Sequence, residues 1–537
     1  MKKIWQIVLT LITILLVWFV LTTQTAGPKG SAVVMSQANA GLQEQRIDDQ
    51  YRSTYEIFVY SFYDTDNDGI GDLKGVDQKL DYIEGLGFNQ IWLMPVSPSP
   101  TYHKYDVTDY MEIDPEYGTM QDFDQLLKDC HERGINVIID LVLNHTSSQH
   151  PWFLEACDYL RSLPAGGMPD PAVCPYVQYY RFDRERQNGY TPLSGTDWYY
   201  EARFWDQMPD LNLDEPMVRD EIAKIIAFWF DRGVDGFRLD AVTSYYTGND
   251  EKNIEFLSWL NDTVDTCAPG KYIVCEGWDA QGKYAQYYAS GVDSMFDFAF
   301  AGPDGVIANT LKGKYTARDF GNALEKEWQL YESYDPDAVN APFYTNHDMA
   351  RGAGYYAGDD GSKTKLALAM NLLTSGNAFL YYGEELGMKG SGKDENKRAP
   401  MYWSDSDTDG MTHGPKDMDS FAMKFPSLED QIEDPYSIYN YVKEILRIRN
   451  ALPVIARGRT WVHQDLTTDH VCMIMKEDGE HAPAAILMNL SDTEETVDVS
   501  STEFHHLLGV LTVNDQGVTF KNDTLVLPPY AVAVLGE

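Results

Sequence analysis

The sequence predicts an α/β protein, a (β/α)8 TIM barrel with a small domain inserted after the third strand and a C-terminal all-β sandwich domain. From about residue 54, short apolar runs alternate with amphipathic helical runs about eight times. The apolar runs are nearly continuous, which is typical of parallel strands covered by helices. Eight such units favour a closed barrel over an open sheet.

The predicted strands follow one another at intervals that leave room for a helix. In chain order they are TYEIFVYSF, FNQIWLMP, INVIIDLVLNH, GVDGFRLDAV, KYIVCEGW, SMFDFAF, APFYTNHD and NAFLYYGEELG. Amphipathic runs such as LKGVDQKLDYIEGLG and EPMVRDEIAKIIAFWFDRG lie between strands and predict the covering helices. We therefore assign the barrel to residues 51–145 and 208–450.

Two changes of pattern define the other domains. Residues 146–207, after the third strand, are rich in Pro, Gly, Tyr and Asp, and predict a small inserted domain over the barrel mouth. Residues 455–537 contain short alternating strands, VCMIMKE, AAILMNLSD, ETVDVS and LVLPPYAVAVL. This pattern predicts a terminal domain made only of strands.

The N-terminus carries an export or membrane signal. Two lysines precede the apolar run IWQIVLTLITILLVWFVLT at residues 4–22, which approaches the roughly 20 residues of a spanning helix. An Ala-x-Ala site, Ala38-Asn39-Ala40, lies far beyond the run. A cleaved signal peptide and a retained membrane anchor therefore both stay open. In either case we expect residues 1–45 to lie outside the fold, and the protein to be extracellular or attached to the cell surface.

Composition excludes some partners. With 42 basic and 83 acidic residues, the chain has a formal net charge of −41, which argues against nucleic acid or an anionic membrane surface as a partner. Aromatic residues make up 13% of the chain and favour a carbohydrate ligand, because aromatic faces stack on sugar rings. The six cysteines include no CxxC pair, which makes zinc a poor expectation, and Cys157 with Cys174 is the best candidate disulfide.

Polar residues follow the apolar strands where each strand ends. In a barrel of this kind, such residues face the active site. Four strands supply them: Asp140, Asn144, His145, Arg238, Asp240, Glu276, Asn346, His347 and Asp348. Two carboxyl groups on neighbouring strands suit glycoside cleavage, in which one attacks the anomeric carbon and the other protonates the leaving oxygen. Any single one of these residues could instead be a buried structural residue whose polar groups are paired. So many polar residues at one barrel mouth favour a catalytic role.

The stretches DLVLNH, GFRLDAV, CEGW and TNHD, in this order, resemble the four motifs of the α-amylase superfamily, glycoside hydrolase family 13. The resemblance covers about residues 51–537. It implies a retaining double displacement with Asp240 as nucleophile, Glu276 as general acid/base and Asp348 as the third acid. Arg238 matches the arginine that orients the nucleophile. Asp140 is expected to support this network.

The same resemblance identifies residues that bind the substrate. His145 and His347 match the histidines that hydrogen-bond the sugar at the cleaved bond. YHKYDVTDY resembles a segment whose tyrosine, here Tyr105, stacks on that sugar, with His103 and Asp106 on its hydroxyls. KRAPMYW supplies Arg398, for which we expect a pair with Asp106 across the site.

The stretch MPDLN, 208–212, combines features of oligo-1,6-glucosidases and neopullulanases, as in an intermediate group that includes bacterial α-amylases. Ala241 follows the nucleophile, and small residues there go with α-1,4 cleavage in relatives. Trp278 is expected to be a platform for the leaving glucose. We therefore expect endo-hydrolysis of starch, maltodextrin or glycogen, although an Asp106–Arg398 pair would favour recognition of a non-reducing end.

Other functions remain open on the same scaffold. An exo-α-glucosidase, an oligo-1,6-glucosidase, a neopullulanase-type debranching enzyme and a glucosyltransferase share these motifs. A membrane-anchored protein whose amylase-like ectodomain is a non-catalytic partner of a transporter is a further alternative, which the intact Asp240, Glu276 and Asp348 argue against.

The stretch DTDNDGIGD, 64–72, predicts a structural Ca2+ loop after the first strand. Carboxylates so crowded repel one another unless a cation lies between them. The expected ligands are Asp64, Asp66, Asp68, the carbonyl of Ile70 and Asp72. A solvated acidic turn is the alternative.

Overall fold

The computed structural model describes residues 32–45 and 47–537, and a barrel of eight parallel strands forms its centre. Neighbouring strands pair in the order β10-β9-β8-β7-β3-β2-β1-β11. The amides of Asn377 and Phe379 donate to the carbonyls of Asn340 and Pro342, each at 2.8 Å, and join the two ends of this sheet. The barrel strands are β1 (Ser53–Ile57), β2 (Gln90–Leu93), β3 (Asn136–Leu141), β7 (Gly236–Leu239), β8 (Tyr272–Cys275), β9 (Ser294–Phe296), β10 (Val339–Ala341) and β11 (Ala378–Tyr381). The expected (β/α)8 barrel is confirmed.

Helices cover the outside of the barrel, so the strands are buried on both faces. Every residue of β2, β7, β8 and β11 is buried, which explains the nearly continuous apolar runs. The helices of the barrel region are α2 (Leu73–Gln78), α3 (Leu80–Leu86), α4 (Met120–Arg133), α6 (Pro216–Arg232), α7 (Asp250–Cys267), α8 (Gln281–Tyr284), α9 (Val306–Leu311), α10 (Ala317–Glu332), α11 (Ser362–Leu372), α12 (Asp394–Lys397), α13 (Leu428–Glu433), α14 (Ile438–Ala451) and α15 (Val454–Arg457).

Local signals set the helix ends that aim the strands. Thr119 and Asp122 form a capping box at the start of α4, and Gly134 ends that helix in the left-handed conformation. Pro216 opens α6 and Gly233, with φ of 105°, ends it. Each glycine is followed within a few residues by a strand that leads into the site.

The inserted domain lies between β3 and β7. It contains helix α5 (Pro151–Ser162) and a three-stranded antiparallel sheet, β4 (Phe182–Asp183), β5 (Tyr190–Pro192) and β6 (Tyr199–Glu201). Its core is aromatic, with the ring of Phe153 at 5.0 Å from Tyr180 and 4.9 Å from Tyr200. The expected disulfide is wrong, because Cys157 and Cys174 are both free and buried as small apolar side chains.

The C-terminal domain has a five-stranded sheet, in the order β12-β13-β14-β19-β16, and a three-stranded sheet, in the order β15-β18-β17. The expected strand LVLPPYAVAVL divides in two, because Pro528 and Pro529 interrupt the ladder at their missing amide hydrogens. The strands are β12 (Arg459–Val462), β13 (Val471–Glu477), β14 (Ala484–Asn489), β15 (Glu495–Asp498), β16 (His506–Leu511), β17 (Thr519–Lys521), β18 (Thr524–Leu527) and β19 (Val532–Gly536).

Residues 32–45 belong to the fold, which corrects the expectation that the chain up to residue 45 lies outside it. The short helix α1 (Met35–Ala38) precedes Asn39, which is fully buried. The side chain of Asn39 donates to the carbonyl of Val510 and accepts from its amide, both at 3.0 Å. It also donates to Glu444 on α14 at 2.9 Å, so this polar residue ties the barrel to the C-terminal domain.

The apolar run 4–22 lies outside the described residues. Among the residues that the structure describes, no helix combines the length and the apolar character needed to cross a membrane.

Candidate active site

The carboxyl ends of the barrel strands open into a cavity of about 490 Å³. Eight of the residues expected at the site line this cavity: His103, Tyr105, His145, Asp240, Glu276, Trp278, Asp348 and Arg398. Arg238, His347 and Asp106 are buried and support the lining groups. The cavity is also lined by Met208 and Ala241, which the sequence analysis linked to bond preference, and by four residues that carried no expectation: Phe204, Thr243, Ser244 and Asp394.

Arg238 joins three carboxylates at the ends of three neighbouring strands. Its Nη1 lies 2.8 Å from Oδ1 of Asp140 and 2.8 Å from Oδ1 of Asp240, and its Nη2 lies 3.0 Å from Oε2 of Glu276. The Arg238 side chain is only 1% exposed. A buried cation is costly unless it is paired, and these carboxylates supply the pairing. Both acids of the expected catalytic pair therefore contact one guanidinium.

Glu276 lies in an environment that favours its protonated form. Burial is the main cause, and the negative charge of Asp240 adds to it, so that the pKa of Glu276 rises to about 7 although Arg238 opposes the shift. The amide of Ala241 donates to Oε2 of Glu276 at 3.1 Å. Ala241 adopts a left-handed conformation, with φ of 46°, which is unusual for a residue with a side chain and typical of strained functional sites.

His347 is held between two carboxylates. Its Nδ1 lies 2.6 Å from Oε1 of Glu56, and its Nε2 lies 2.8 Å from the Tyr105 hydroxyl and 3.2 Å from Oδ2 of Asp348. Burial alone would lower the pKa of His347, but Asp348 and Glu56 raise it to about 10. Glu56 was missed by the sequence analysis. The available signal was a single acid, in TYEIFVY, within an otherwise uncharged buried strand.

The expected pair of Arg398 with Asp106 is wrong. Nη2 of Arg398 lies 2.9 Å from Oδ1 of Asp348, and its Nη1 lies 2.9 Å from the Tyr102 hydroxyl. Asp106 is fully buried and accepts from the hydroxyls of Ser99 and Thr101. Both hydroxyls donate to Oδ1 of Asp106, while its buried Oδ2 has no hydrogen-bond partner among the described residues. Burial would raise the pKa of Asp348, but the charges of His347 and Arg398 hold it well below the usual range.

Three further residues lie around this centre as expected. His103 lines the cavity, and burial together with the charge of Arg398 lowers its pKa to about 4. His145 lines the cavity as well, and burial lowers its pKa. Trp278 is 54% exposed and stacks on Phe298 with ring centroids 5.2 Å apart, so a broad aromatic face borders the cavity close to Glu276.

The acidic loop after β1 brings together three of its four carboxylates. One oxygen from each of Asp64, Asp66 and Asp72 lies within 4.8 Å of the others, whereas Asp68 is exposed and does not join the group. None of the three forms an ion pair with a residue that the structure describes. Backbone amides donate to both oxygens of Asp64, which holds the loop in this shape. Uncompensated acids at this separation fit a bound cation.

Comparisons with known proteins agree with this geometry. The family model for the alpha-amylase catalytic domain matches residues 56–458. The chain belongs to the α-amylase family, glycoside hydrolase family 13. It is therefore a glycoside hydrolase of the amylase type, as its four sequence motifs implied.

Similar proteins within this family have more than one specificity. Alpha-amylase 3 of Dictyoglomus thermophilum is 37% identical over 452 residues, which cover 83% of this chain and 86% of the relative. The oligo-1,6-glucosidase of Parageobacillus thermoglucosidasius is 30% identical over 491 residues, which cover 75% of this chain and 84% of the relative. The structure of Eubacterium rectale Amy13B matches with a TM-score of 0.92 and 51% identity, over 94% of this chain and 99% of that one. The structure of the α-amylase of H. orenii matches with a TM-score of 0.79 and 33% identity, over 91% of this chain and 100% of that one.

Proposed function

We propose that this chain is a retaining endo-α-1,4-glucan hydrolase that acts on starch, maltodextrin or glycogen. The contact of Asp240 and Glu276 with one guanidinium, that of Arg238, carries the proposal. Two carboxyl groups that contact the same guanidinium lie close together, as the retaining mechanism requires. An inverting enzyme needs room for a water molecule between its two carboxyl groups.

Asp240 attacks the anomeric carbon and forms a covalent glycosyl ester. Glu276, protonated near neutral pH because of its raised pKa, donates its proton to the leaving glycosidic oxygen. In the second half of the reaction, Glu276 takes a proton from water, and that water releases the sugar from Asp240 with the original configuration. Arg238 stabilises the charge of Asp240 throughout.

The remaining residues hold the sugar at the cleaved bond. Asp348 is kept ionised by Arg398 and His347, and its carboxylate accepts from sugar hydroxyls as the ring distorts. His103, His145 and Tyr105 line the same cavity and offer hydrogen bonds and a flat ring face. Trp278 offers a stacking surface to the leaving part of the chain.

Two observations support endo action on α-1,4 bonds. Arg398 contacts Asp348 rather than Asp106, so the pair that favoured recognition of a chain end is replaced by another. Ala241, next to Asp240, lines the cavity with the small side chain that goes with α-1,4 cleavage in relatives. Oligo-1,6-glucosidase activity, which one relative carries by name, is the second candidate.

A structural Ca2+ ion is part of this proposal. Asp64, Asp66 and Asp72 would hold it, joined by the carbonyl of Ile70. The ion would neutralise the loop that follows β1, the strand that supplies Glu56. We also propose that the protein acts outside the cytoplasm, on α-glucans that carry no charge to be repelled by its acidic surface.

The test is a time course of the purified full chain on soluble starch with Ca2+, with products separated by chain length. Early mixed maltooligosaccharides and a rapid loss of iodine colour support endo-hydrolysis. Glucose alone from the first minutes would replace it with an exo-α-glucosidase. Cleavage of isomaltose or panose without cleavage of starch would replace it with the oligo-1,6-glucosidase.

A further inference from the structure

Arg398 is fixed both at its main chain and at its guanidinium. Oγ of Ser61, a fully buried residue just after β1, donates to the main-chain carbonyl of Arg398 at 2.7 Å. At the guanidinium, Nη2 donates to Oδ1 of Asp348 and Nη1 donates to the hydroxyl of Tyr102, both at 2.9 Å. Nε has no hydrogen-bond partner among the described residues. Within the part of the chain that the structure describes, Asp348 and Tyr102 are thus the two hydrogen-bond partners of this buried guanidinium.

No step of the proposed reaction uses Tyr102. Its side chain does not line the active-site cavity, although that of the next residue, His103, does. The sequence carried no expectation for Tyr102 either, since other residues of the stretch YHKYDVTDY were linked to the substrate. An effect of the Tyr102 hydroxyl on catalysis must pass through a residue that does line the cavity, and its hydrogen-bond donor Arg398 is such a residue.

The ring of Tyr102 is held in place by two other aromatic rings. It packs edge to face on Phe58 and on Tyr60, with ring centroids 6.2 Å apart in both pairs. Phe58 and Tyr60 follow β1 and stack on each other at 5.7 Å. Burial raises the pKa of Tyr102 although Arg398 opposes the shift, so the hydroxyl keeps its proton near neutral pH. A neutral hydroxyl on a fixed ring is a preorganised acceptor for a guanidinium N–H group.

The carboxylate of Asp348 is oriented by contacts to both of its oxygens. Arg398 contacts Oδ1, and Nε2 of His347 lies 3.2 Å from Oδ2. The Asp348 side chain is 35% exposed and lines the cavity, so it can reach a bound sugar. A single contact between Nη2 and Oδ1 would let the guanidinium turn about that contact. The second contact, from Nη1 to Tyr102, removes this freedom.

We propose that Tyr102 is a positioning residue, whose hydroxyl holds the guanidinium of Arg398 in the orientation that presents Nη2 to Asp348. The inference rests on the proposed function, because it concerns the acid that accepts from sugar hydroxyls as the ring distorts. Tyr102 acts through Arg398 and does not touch the substrate. Its loss should lower turnover more than substrate binding, since the distorted sugar depends most on the orientation of Asp348.

The same contact bears on the ionisation of Asp348. Burial favours its protonated form, but the charges of His347 and Arg398 hold its pKa well below the usual range. A guanidinium that turns away from Asp348 would let this pKa rise. The charged and titratable groups that act on Asp348 are His347, Arg398, Arg238, Glu276, Glu56 and His103. Of these, Arg398 alone forms a hydrogen bond with Tyr102.

The experiment compares Tyr102→Phe, which removes only the hydroxyl, with the wild-type full chain. Tyr60→Phe is the matched control, because Tyr60 packs against the same ring but its hydroxyl has no hydrogen-bond partner among the described residues. Arg398→Met is made alone and together with Tyr102→Phe. For each protein, kcat and KM on maltoheptaose are measured between pH 4 and pH 7, and thermal unfolding is followed by calorimetry.

Tyr102→Phe should lower kcat about tenfold, as expected when a buried charged group loses a hydrogen-bond partner, and change KM by less than about twofold. The acidic fall of kcat/KM should move to higher pH by about one unit, because Asp348 then takes up a proton more readily. Tyr60→Phe should match the wild type in kcat, KM and pH dependence, and both variants should unfold cooperatively. In the Arg398→Met background, Tyr102→Phe should change kcat by less than about twofold, because the group through which it acts is gone.

Three results would overturn the positioning role while wild-type cleavage of maltoheptaose upholds the proposed function. The first is equal kinetics for Tyr102→Phe and Tyr60→Phe. The second is the same loss of kcat on Tyr102→Phe with and without the Arg398 guanidinium. The third is loss of cooperative unfolding in Tyr102→Phe, which would make the hydroxyl a requirement of the fold instead. Absence of maltoheptaose cleavage by the wild type would overturn the proposed function, and the positioning role with it.

Discussion

Oε1 of Glu56, near the carboxyl end of the first barrel strand, lies 2.6 Å from Nδ1 of His347, in the loop that follows the seventh. Both side chains are at most 2% exposed. Asp348 and Glu56 together raise the pKa of His347 and so favour its protonated form, and the imidazole also contacts the hydroxyl of Tyr105. The charge of the imidazole beside the candidate third acid is thus supported by a residue that does not line the active-site cavity.

Replacement of Glu56 by Gln should reveal this dependence through pH. Without the charge of Glu56, the pKa of His347 falls below its present value of about 10, so His347 loses its proton at a lower pH. We expect the ratio of variant to wild-type kcat/KM to fall by about tenfold, or 1.4 kcal/mol, between pH 6 and pH 9. Rates on a chromogenic maltooligosaccharide measure it.

Glu385→Gln provides the matched control for that experiment. Glu385 is a buried glutamate that accepts from the hydroxyls of Tyr55 and Tyr82, each at 2.6 Å, away from the histidine. The ratio of kcat/KM of Glu385→Gln to that of the wild type should not vary with pH. A pH-independent ratio for Glu56→Gln would contradict the role assigned to this residue.

The raised pKa of Glu276 predicts the alkaline limb of the wild-type enzyme. The acid must be protonated to assist the leaving group, so kcat/KM should fall about tenfold per pH unit above its pKa of about 7. Initial rates on maltoheptaose between pH 5 and pH 9 measure this. With maltosyl fluoride, whose leaving group needs no proton, kcat/KM should not fall over this alkaline range. The same alkaline fall with both substrates would mean that a group other than Glu276 causes it.

Removal of Ca2+ should destabilise the chain without changing the catalytic residues. If the ion is held at a hundred times its dissociation constant, it contributes about 2.7 kcal/mol, so chelation should lower Tm by a few degrees. Asp64→Asn should abolish this response, as measured by calorimetry with and without EDTA. Asp68→Asn, at an exposed carboxylate outside the cluster, should retain it. An unchanged Tm on chelation would contradict the metal site.

Asn39 should matter for stability although it lies far from the chemistry. Asn39→Ala leaves the backbone groups of Val510 and the carboxylate of Glu444 without their partner, a loss of about 1–3 kcal/mol for a buried polar group. Gln37, two residues earlier, is exposed. Like most surface substitutions, Gln37→Ala should change the free energy of unfolding by less than about 0.5 kcal/mol. Denaturant unfolding measures the loss of unfolding free energy in each variant. Equal losses in the two variants would contradict the role of Asn39 in joining the barrel to the C-terminal domain.

The alternation of apolar and amphipathic runs was sufficient to predict the barrel, because strands buried on both faces have a distinctive composition. The strand-end rule then placed Asp240, Glu276 and Asp348 at one mouth, and the structure brings them there. Pairing could not be predicted in the same way. Arg398 pairs with Asp348 rather than with Asp106, and only the folded loop shows that hydroxyls already donate to Oδ1 of Asp106.

Residues 32–45 show a second limit of sequence reasoning. The segment is short, and its one buried side-chain amide, that of Asn39, makes its contacts with Val510, more than 400 residues later. Glu56 was missed for a related reason, since its partner His347 comes 291 residues later. Long-range polar contacts of this kind leave no periodic pattern, whereas apolar burial does.

The most direct test of the central claim is to trap the covalent intermediate. In Glu276→Gln, maltosyl fluoride can still react, because fluoride leaves without a proton, but the second step lacks its base. Intact mass should increase by one maltosyl group, and peptide mapping should place it on Asp240. An adduct on another residue, or β-configured product released first by the wild-type enzyme, would contradict the assignment of Asp240 as nucleophile.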